Sequence, residues 1–506
     1  MAVDAAAAAP ATRHYRDVTT HTPESVRRPG PGLDWANKPE LYRTYAGAET
    51  VALPTPQTLA QPALAAIGPL SAPSAAAPLD IGTLSTVLFL TGGITRTRAS
   101  GGDIRATAAA GALYPNELYV VAGDLPGLPA GVYHYEPQAA HLARLRSGDW
   151  RGGVAVAADD PEIARAPATV VATGILWRSA WKYRARAYRH LHWDGGMMAA
   201  HLLAAAAATS MPATLRAAFV DRELDRLLGL DGRRELTVAL VPLGVPAGTA
   251  AASRDVPPLA WTPSSLSPRP LDYPEAQAYH TATQLADAAA VRRIRTAQFQ
   301  VPAHTTEAPV VALPVSATSQ IPLDTAVRRR SSARRFTHQP IAAAQLAAVL
   351  SAPASALAAD FLHGDGSLLE TYVIVNAVDG VLAGAYHYRR GERRLEQLRA
   401  GDLRDTAGFL CLEQALARDA AAVLFYMSPL DHVGGAFGER GYRFAELEAG
   451  VRGGRAYLAA RAVGVGATGL TFYDREVTRF FSPHAAKLEP LLVVAIGVPA
   501  RRSRGG

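Results

Sequence analysis

Cysteine is almost absent from this chain of 506 residues, because Cys411 is its only one. A single thiol excludes an internal disulfide and any metal or iron–sulfur site built from several cysteines, and it fits a reducing, cytoplasmic setting. Long uninterrupted apolar runs are missing as well, so the sequence predicts no membrane-spanning helix. The longest apolar candidate, Met197 to Met211, contains His201 and predicts a buried helix.

Charged residues are sparse, at 19% of the chain, whereas hydrophobic residues reach 49%. That balance is typical of a globular protein. The net charge is +7, but the basic residues are spread along the chain and no nucleic-acid-binding motif accompanies them. We therefore expect neither nucleic acid nor a membrane as a partner. The length exceeds what one ordinary core accommodates and favours at least two domains.

The sequence contains the same pattern twice. ELYVVAGD at Glu117 returns as ETYVIVNA at Glu370, and GVYHY at Gly131 returns as GAYHY at Gly384, both at an offset of 253. LGVP returns as IGVP at the same offset, and AYRHLHWDGG at Ala187 matches GYRFAELEAG at an offset of 254. A register held over such a span predicts two fused copies of one domain.

Each copy runs in the same order: Ala- and Leu-rich helical segments, an apolar β-branched strand, the YHY strand, a long helix and a closing strand. This order predicts an α+β fold. The core strands are predicted at Leu118–Ala122 and Thr371–Val375, and the closing strands at Leu236–Val241 and Leu491–Ile496. The predicted organisation is an N-terminal tail (1–36), copy one (37–250), a linker with a helix around Tyr273–Arg295 (251–315) and copy two (316–506).

An arginine-rich segment, RRRSSARRF, runs from Arg328 to Phe336 at the end of a predicted helix. Guanidinium groups form bidentate, charge-assisted hydrogen bonds to phosphate, and small hydroxyls can approach it closely. A solvated basic face is the alternative explanation. The segment resembles the RRSxRxF phosphate-binding signature of nitroreductases, and this resemblance assigns the phosphate of FMN to Arg330, Ser331, Ser332 and Arg334.

A loop of small residues, RATAAAGALYP, leads from Arg105 to Pro115 and directly into the first core strand. Small residues let a backbone lie against a flavin ring. The loop is similar to the PSAGALYP loop of SagB/ThcOx-type dehydrogenases, a nitroreductase branch that includes peptide azoline oxidases, although alanine replaces the serine here. The resemblance implies flavin contacts from Ala109, Ala110, Gly111 and Ala112.

The two copies have lost complementary parts. The small-residue loop has no counterpart in copy two, where Leu362–Ser367 stands instead, and nothing in copy one resembles RSSARRF. Single-copy nitroreductases are homodimers in which, by resemblance, these two motifs meet around one flavin. The sequence therefore predicts a nitroreductase-like intramolecular pseudo-dimer, with one composite FMN site that takes its phosphate contacts from copy two and its loop from copy one.

Lys182 and Tyr183 are the predicted catalytic residues. Related azoline dehydrogenases carry a Lys-Tyr pair at a matching place, whereas copy two has Ala436-Phe437 there. The resemblance implies that the pair removes a substrate proton while hydride passes to flavin N5, and burial can tune a lysine for such work. The alternative is an interfacial lysine lying beside an aromatic ring.

Near the C-terminus, GVGATG spells a GxGxxG pattern at Gly464. A dinucleotide-binding fingerprint should follow a strand and open a helix, whereas this one follows an Ala-rich helix. It is better matched to the nitroreductase segment GVDATPIEG, whose last residues contact the flavin ring. By that resemblance Gly469, Leu470 and Thr471 contact the flavin, and Arg501 and Arg502 add to the phosphate contacts, with a frayed basic tail as the alternative.

No metal site is predicted. His190 and Asp194 share a helical face, but His192 does not, and no fourth ligand is evident. The YHY histidines occur in both copies and are expected to be structural.

Three functions follow from these features. The first is an FMN-dependent dehydrogenase or oxidase that tailors a small-molecule or peptide natural product, of the azoline-to-azole type, together with biosynthetic partner proteins. The second is an NAD(P)H-dependent reductase of nitro, quinone or enone acceptors on the same flavin. The third is a flavin-less scaffold subunit of a biosynthetic complex, an alternative that retention of RSSARRF disfavours.

Overall fold

The sheet of copy one forms around a strand of β-branched and aromatic residues, Asn116–Ala122, in which every residue is buried. A computed structural model describes residues 9–28, 30, 32–68, 78–98, 101–302 and 308–500. Within them, copy one has a six-stranded antiparallel sheet. Its spatial order is Glu49–Ala52, His141–Ser147, Gly131–Glu136, Asn116–Ala122, Ala168–Ile175 and Glu235–Leu243.

Copy two repeats this strand order and adds one edge strand after the closing strand. The repeat predicted from the sequence is thus confirmed in the fold. The first strand of this sheet lies within the segment predicted as a linker. The spatial order is Val310–Ala312, Arg394–Ala400, Gly384–Arg389, Glu370–Val375, Ala422–Ser428, Glu489–Gly497 and Gly466–Leu470.

Two small strand pairs lie outside these sheets. One is a hairpin of Ile94–Thr97 with Asp103–Arg105, and the other pairs Ile341–Ala342 with Val378–Asp379. Helices cover the sheets and fill the space between the copies. They are Pro10–Thr19, Pro23–Arg27, Ala63–Ile67, Ile81–Gly92, Arg151–Ala157, Leu176–Tyr183, Ala187–Ala208, Asp221–Leu228, Pro274–Thr283, Ala288–Thr296, Leu323–Arg329, Ala343–Ala354, Arg404–Leu410, Ala415–Asp419, Leu430–Phe437, Gly441–Ala462 and Asp474–Phe481.

The two longest helices, Ala187–Ala208 and Gly441–Ala462, pack against each other at the centre of the molecule. They cross at Gly196 and Gly450. A Cβ on Gly196 would lie 2.2 Å from the carbonyl oxygen of Leu447, and one on Gly450 would lie 2.1 Å from that of Trp193. Only glycine permits this backbone approach, which brings the two copies together.

Matching ion clusters join the copies on either side of this crossing. Asp221 of copy one binds Arg440 and Arg443 of copy two, each at 2.7 Å. Asp474 of copy two binds Arg186 and Arg189 of copy one, at 2.9 and 2.6 Å.

All six side chains of the two clusters are buried. The sequence offsets relating one cluster to the other are those of the repeat. The clusters therefore carry the pseudo-twofold symmetry of the fused pair.

Two segments differ from the sequence-based predictions. Part of the predicted N-terminal tail forms the helix Pro10–Thr19, whose Tyr15 is buried and stacks on Tyr279 with ring centroids 4.5 Å apart. The predicted linker helix is two helices, Pro274–Thr283 and Ala288–Thr296. The second begins at a new cap, where the side chain of Asp287 accepts a hydrogen bond from the amide of Ala290.

None of the helices in the described part of the chain is long and apolar enough to cross a membrane. Cys411 is fully buried in the core of copy two, as expected for a packing residue, and burial raises the pKa of its thiol.

Candidate active site

A cavity of about 1120 Å³ lies between the two copies. It is lined by the predicted site residues from both halves of the chain. From copy one these are Ala109, Ala110, Gly111, Ala112, Lys182 and Tyr183, and from copy two Arg330, Ser331, Ser332, Arg334, Gly469, Leu470 and Thr471. The structure thus brings together two motifs that are more than two hundred residues apart in sequence.

The arginine motif starts in the last turn of the helix Leu323–Arg329 and leaves it at Arg330, which has an extended conformation. The backbone then runs beside the edge strand of copy two, where the amide of Ala333 donates to the carbonyl of Ala467 at 2.9 Å. This attachment leaves the side chains of Ser331 and Arg334 exposed along the cavity wall.

Arg330 is buried and reaches across to copy one. Its Nε donates to the carbonyl of Ala106 and its Nη2 to the carbonyl of Arg105, both at 2.8 Å. Burial lowers the pKa of its guanidinium, and no carboxylate of the described residues forms an ion pair with it. Two nitrogens of the guanidinium therefore hold copy two against copy one. The group also lines the cavity, where its positive charge has no carboxylate partner among the described residues.

Further cations line the same cavity. Arg96 and Arg98 come from the hairpin of copy one, and Arg335 follows the motif in copy two. Within the described ranges, neither these side chains nor that of Arg334 pairs with a carboxylate. The wall is thus suited to an anionic ligand with several oxygens, such as a phosphate.

The small-residue loop is held in a strained conformation. Gly111, Ala112 and Tyr114 have φ angles of 62°, 54° and 46°, of which only the first is ordinary for its residue type. A Cβ on Gly111 would lie 2.8 Å from the hydroxyl of Tyr183. The loop therefore lies directly against the predicted catalytic pair, and such strain is found at functional sites.

Asp194 holds this loop by hydrogen bonding, a role that was not predicted from the sequence. Its two carboxylate oxygens lie 3.2 and 3.0 Å from the amide nitrogen of Ala110, which donates to them. Burial raises the pKa of Asp194 to about 8, although the amide of Ala110 opposes the shift. A signal existed in the sequence, since the offset of 254 aligns Asp194 with Glu448, so that both copies keep a carboxylate there.

Lys182 and Tyr183 both line the cavity, but the structure corrects the expectation of a buried lysine, because Lys182 is exposed to solvent. Its ammonium lies 5.3 Å from the ring centroid of Tyr183. Burial, with Asp194 nearby, raises the pKa of Tyr183, so this hydroxyl keeps its proton. His190, treated in the sequence as part of a structural helix face, also lines the cavity, and its ring centroid lies 4.0 Å from that of Tyr183.

The C-terminal segment enters the site along the edge strand Gly466–Leu470, which follows the second long helix. The hydroxyl of Tyr457 accepts a hydrogen bond from the amide of Gly469 at 2.5 Å and lies 3.2 Å from Oγ of Ser332. Tyr457 thereby links two predicted cofactor segments, a role that the sequence did not reveal. Arg501 and Arg502 lie outside the described residues, which reach the cavity as far as Ala500.

The equivalent place in copy two is occupied by a buried ion pair. Glu448, the counterpart of Asp194, accepts hydrogen bonds from the amide of Leu368 at 2.8 Å and from Oγ of Ser367 at 2.7 Å. Arg452 binds Glu448 at 2.7 Å and Ser367 at 2.8 Å. The repeat aligns this arginine with Met198 of copy one. Charged side chains thus fill copy two where copy one presents an open loop.

The fold and the interface cavity define a protein of the nitroreductase-like α+β class, with two such domains in one chain. The sequence profile of the nitroreductase family matches residues 78–245 and 327–498. The chain belongs to this family, whose members are oxidoreductases that generally bind flavin.

Similar proteins agree with this assignment. A nitroreductase-like protein of Methanocaldococcus jannaschii is 29% identical over 168 residues, which cover 33% of this chain and 81% of that protein. A crystal structure of a nitroreductase-like protein from Anabaena variabilis has a TM-score of 0.77 at 24% identity. That match covers 97% of this chain and 100% of the other, and it shows the fold.

The microcin synthetase McbBCD complex of E. coli also matches, at 18% identity and a TM-score of 0.31, over 47% of this chain and 94% of that chain. This similarity is too low to support an argument about substrate.

Proposed function

We propose that this chain is an FMN-dependent dehydrogenase or oxidase of the SagB/ThcOx type that tailors a small-molecule or peptide natural product, for example by oxidising an azoline ring to an azole. One observation carries the proposal. The arginine motif of copy two, the small-residue loop of copy one and the Lys182–Tyr183 pair line a single cavity.

The residues present suit FMN. The cavity, at about 1120 Å³, is larger than the roughly 300–1,000 Å³ of a typical small-molecule site, so it has room for a cofactor and a substrate. The phosphate would be held by cations that have no carboxylate partner among the described residues. The flavin ring would lie against the backbone of the small-residue loop, which short side chains leave accessible. The proposed contacts are Arg330, Ser331, Ser332, Arg334, Ala109, Ala110, Gly111, Ala112, Gly469, Leu470 and Thr471.

When bound, FMN would supply a two-electron acceptor for hydride from the substrate, with oxygen as the terminal oxidant. The protein supplies the proton chemistry beside it. Tyr183 keeps its proton because of its raised pKa, so we assign it to donating a hydrogen bond to the substrate. Lys182 lines the same cavity from the adjacent position, and its neutral amine, formed when the ammonium gives its proton to solvent, is assigned to receiving the substrate proton.

Two assays on the flavin-loaded protein test this assignment. A thiazoline-containing peptide should lose two hydrogen atoms under air, as measured by mass spectrometry. Lys182→Ala should slow this reaction by about a hundredfold or more while flavin stays bound, since one positioned acid–base group contributes about that factor. Lys487→Ala, an exposed lysine outside the cavity, is the matched control and should behave like the wild type.

The alternatives give different results in the same experiment. Rapid oxidation of NADPH coupled to reduction of a nitroaromatic compound, without any azole product, would replace the proposal by a reductase. A protein that binds no flavin would instead be a scaffold subunit. The first result would replace the proposed substrate and direction of the reaction, and the second would show that the protein is not a flavin enzyme.

A further inference from the structure

Three ionisable side chains meet in copy two, on the sheet and away from the interface cavity. His387 on the strand Gly384–Arg389 lies directly opposite Glu396 on the neighbouring strand. His484 approaches them from the segment that follows the helix Asp474–Phe481. The side chains of all three are at most 8% exposed.

The potential ligand atoms of the three residues converge. Nδ1 of His387 lies 3.4 Å from Oε2 of Glu396, and Nε2 of His484 lies 3.9 Å from the same oxygen. One nitrogen or oxygen atom from each residue lies within 4.8 Å of those of the other two. Tetrahedral Zn²⁺ with ligands at about 2.0–2.1 Å holds them about 3.3 Å apart, so a small movement of His484 closes the geometry.

The opposite ring nitrogen of each histidine is held by a polar group. Nε2 of His387 lies 2.7 Å from Oε2 of Glu370, and Nδ1 of His484 lies 2.8 Å from the hydroxyl of Tyr372. Metal-binding histidines are oriented in this way by carboxylates and other oxygens, which fix the ring and its tautomer. Both rings are therefore set to present the nitrogen that faces Glu396.

In copy one the equivalent residues form a network in which an arginine balances the charge of the carboxylate. The repeat places Glu117 and His134 at the positions of Glu370 and His387, with 3.1 Å between their nearest atoms. Arg178, fully buried, closes that network on Glu117 at 2.5 Å. Opposite His134 stands Ala143, and the second carboxylate near this histidine comes from its own strand, where Oε1 of Glu136 lies 3.8 Å from Nδ1 of His134.

Copy two has changed in the direction that favours a cation. The position equivalent to Arg178 is His432, so copy two has no arginine there, and Glu396 and His484 have been added to the cluster. Arg389 binds Oε2 of Glu396 at 2.9 Å and orients the carboxylate. Two carboxylates, Glu370 and Glu396, thus face one guanidinium and two histidines.

We propose that His387, Glu396 and His484 bind one divalent transition-metal ion of the Zn²⁺ class, with the fourth position left to water. A set of two imidazoles and one carboxylate suits Zn²⁺ among the common divalent ions. The ion connects the segment after the helix Asp474–Phe481 to the sheet. It therefore steadies the helix whose Asp474 binds copy one, a structural role independent of the flavin.

Metal analysis of the purified full-length protein tests this proposal. After incubation with Zn²⁺ and gel filtration in metal-free buffer, we expect inductively coupled plasma mass spectrometry to find about one Zn²⁺ per chain. Co²⁺ in place of Zn²⁺ should give the visible d–d absorption of a tetrahedral site in a difference spectrum. His484→Gln should retain about a tenth of the metal or less, whereas flavin content per chain should not change.

His134→Gln in copy one is the matched control and should keep the metal. If His484→Gln does not fold, addition of Zn²⁺ to the chelator-treated wild type provides the second measurement, and it should raise the melting temperature by several degrees. A wild-type protein that binds no stoichiometric Zn²⁺, or a His484→Gln variant that binds as much as the wild type, would overturn the assignment. Neither result bears on the flavin site.

Discussion

The carboxyl group of Asp194 is buried beneath the small-residue loop, and burial raises its pKa to about 8. The folded protein therefore holds a proton at neutral pH that the unfolded chain, with an ordinary aspartate, releases above about pH 4. This group makes the free energy of unfolding fall as pH rises from about 4 to about 8. The sign is the reverse of that for an ion-paired aspartate.

Asp194→Asn should remove this pH dependence, because asparagine resembles the protonated acid and can still accept the hydrogen bond from Ala110. We expect the difference in unfolding free energy between variant and wild type to shift by at least about 1 kcal/mol in favour of the variant between pH 5 and pH 8. Urea unfolding at both pH values measures it. Parallel pH profiles would show that Asp194 is not protonated in the folded state.

Arg330 combines two roles that neighbouring residues can separate. Arg330→Ala leaves the carbonyls of Arg105 and Ala106 without their donor, so the flavin-free protein should lose about 1–3 kcal/mol of stability. Arg334→Ala, at an exposed position, should change stability by less than about 0.5 kcal/mol. Both variants should bind FMN more weakly in a fluorescence titration. Equal stability of the two variants would mean that the contact of Arg330 with copy one is unimportant.

At the scale of elements, the crossing of the two long helices sets how closely the copies approach. Gly196→Ala places a methyl group against backbone atoms of the other helix, which cannot move away without separating the copies. We expect a loss of about 3 kcal/mol, together with weaker flavin binding. Chemical denaturation and a flavin titration measure the two effects.

Gly435→Ala is the matched control, because a Cβ there meets nothing within 4 Å. It lies inside the helix Leu430–Phe437, so alanine should be neutral or should add up to about 1 kcal/mol through helix propensity. A Gly196→Ala variant as stable as this control would contradict the close crossing.

The paired ion clusters predict a symmetric response. Burial alone would raise the pKa of Asp474, but Arg186 and Arg189 outweigh it and hold the pKa at about 2. Asp474 thus stabilises the fold above about pH 4, and this contribution is lost as pH falls towards 2. Asp474→Asn and Asp221→Asn each remove the carboxylate that binds two buried guanidinium groups.

Each of these variants should cost about 3–5 kcal/mol near neutral pH, as measured by chemical denaturation. Asp17→Asn breaks an exposed pair with Arg475 and should change stability by less than about 0.5 kcal/mol. If only one of the two buried aspartates mattered, the clusters would not be equivalent supports of the pseudo-twofold arrangement.

For the whole molecule, the repeat predicted the architecture because it recorded the order of elements in both copies. The composite site could be predicted because each copy lacks one of the two motifs that line it. Burial and cross-copy contacts could not be predicted in this way. The exposure of Lys182, the contact of Arg330 with copy one and the support of the loop by Asp194 depend on how the copies meet. The helix Pro10–Thr19 was also missed, because it contains few apolar residues and is stabilised by packing of Tyr15 on Tyr279.

The asymmetry of the two equivalent places is the central feature of the molecule. One is a cavity lined by cations and small residues, and the other is filled by the Glu448–Arg452 ion pair. Removing either member of that ion pair would leave an unpaired buried charge. Opening a second cavity in copy two would therefore cost stability. We therefore expect the fused pair to carry one flavin, whereas a symmetric homodimer carries two equivalent sites.

The measurement that tests this most directly is the amount of FMN released per chain when the purified, flavin-saturated protein is denatured, determined from its visible absorption. We predict about one FMN per chain, with clearly lower occupancy in Arg334→Ala. Arg328→Ala should retain full occupancy, because that side chain packs 4.4 Å from the ring centroid of Phe89 and does not line the cavity. Two FMN per chain, or none, would contradict a single composite site.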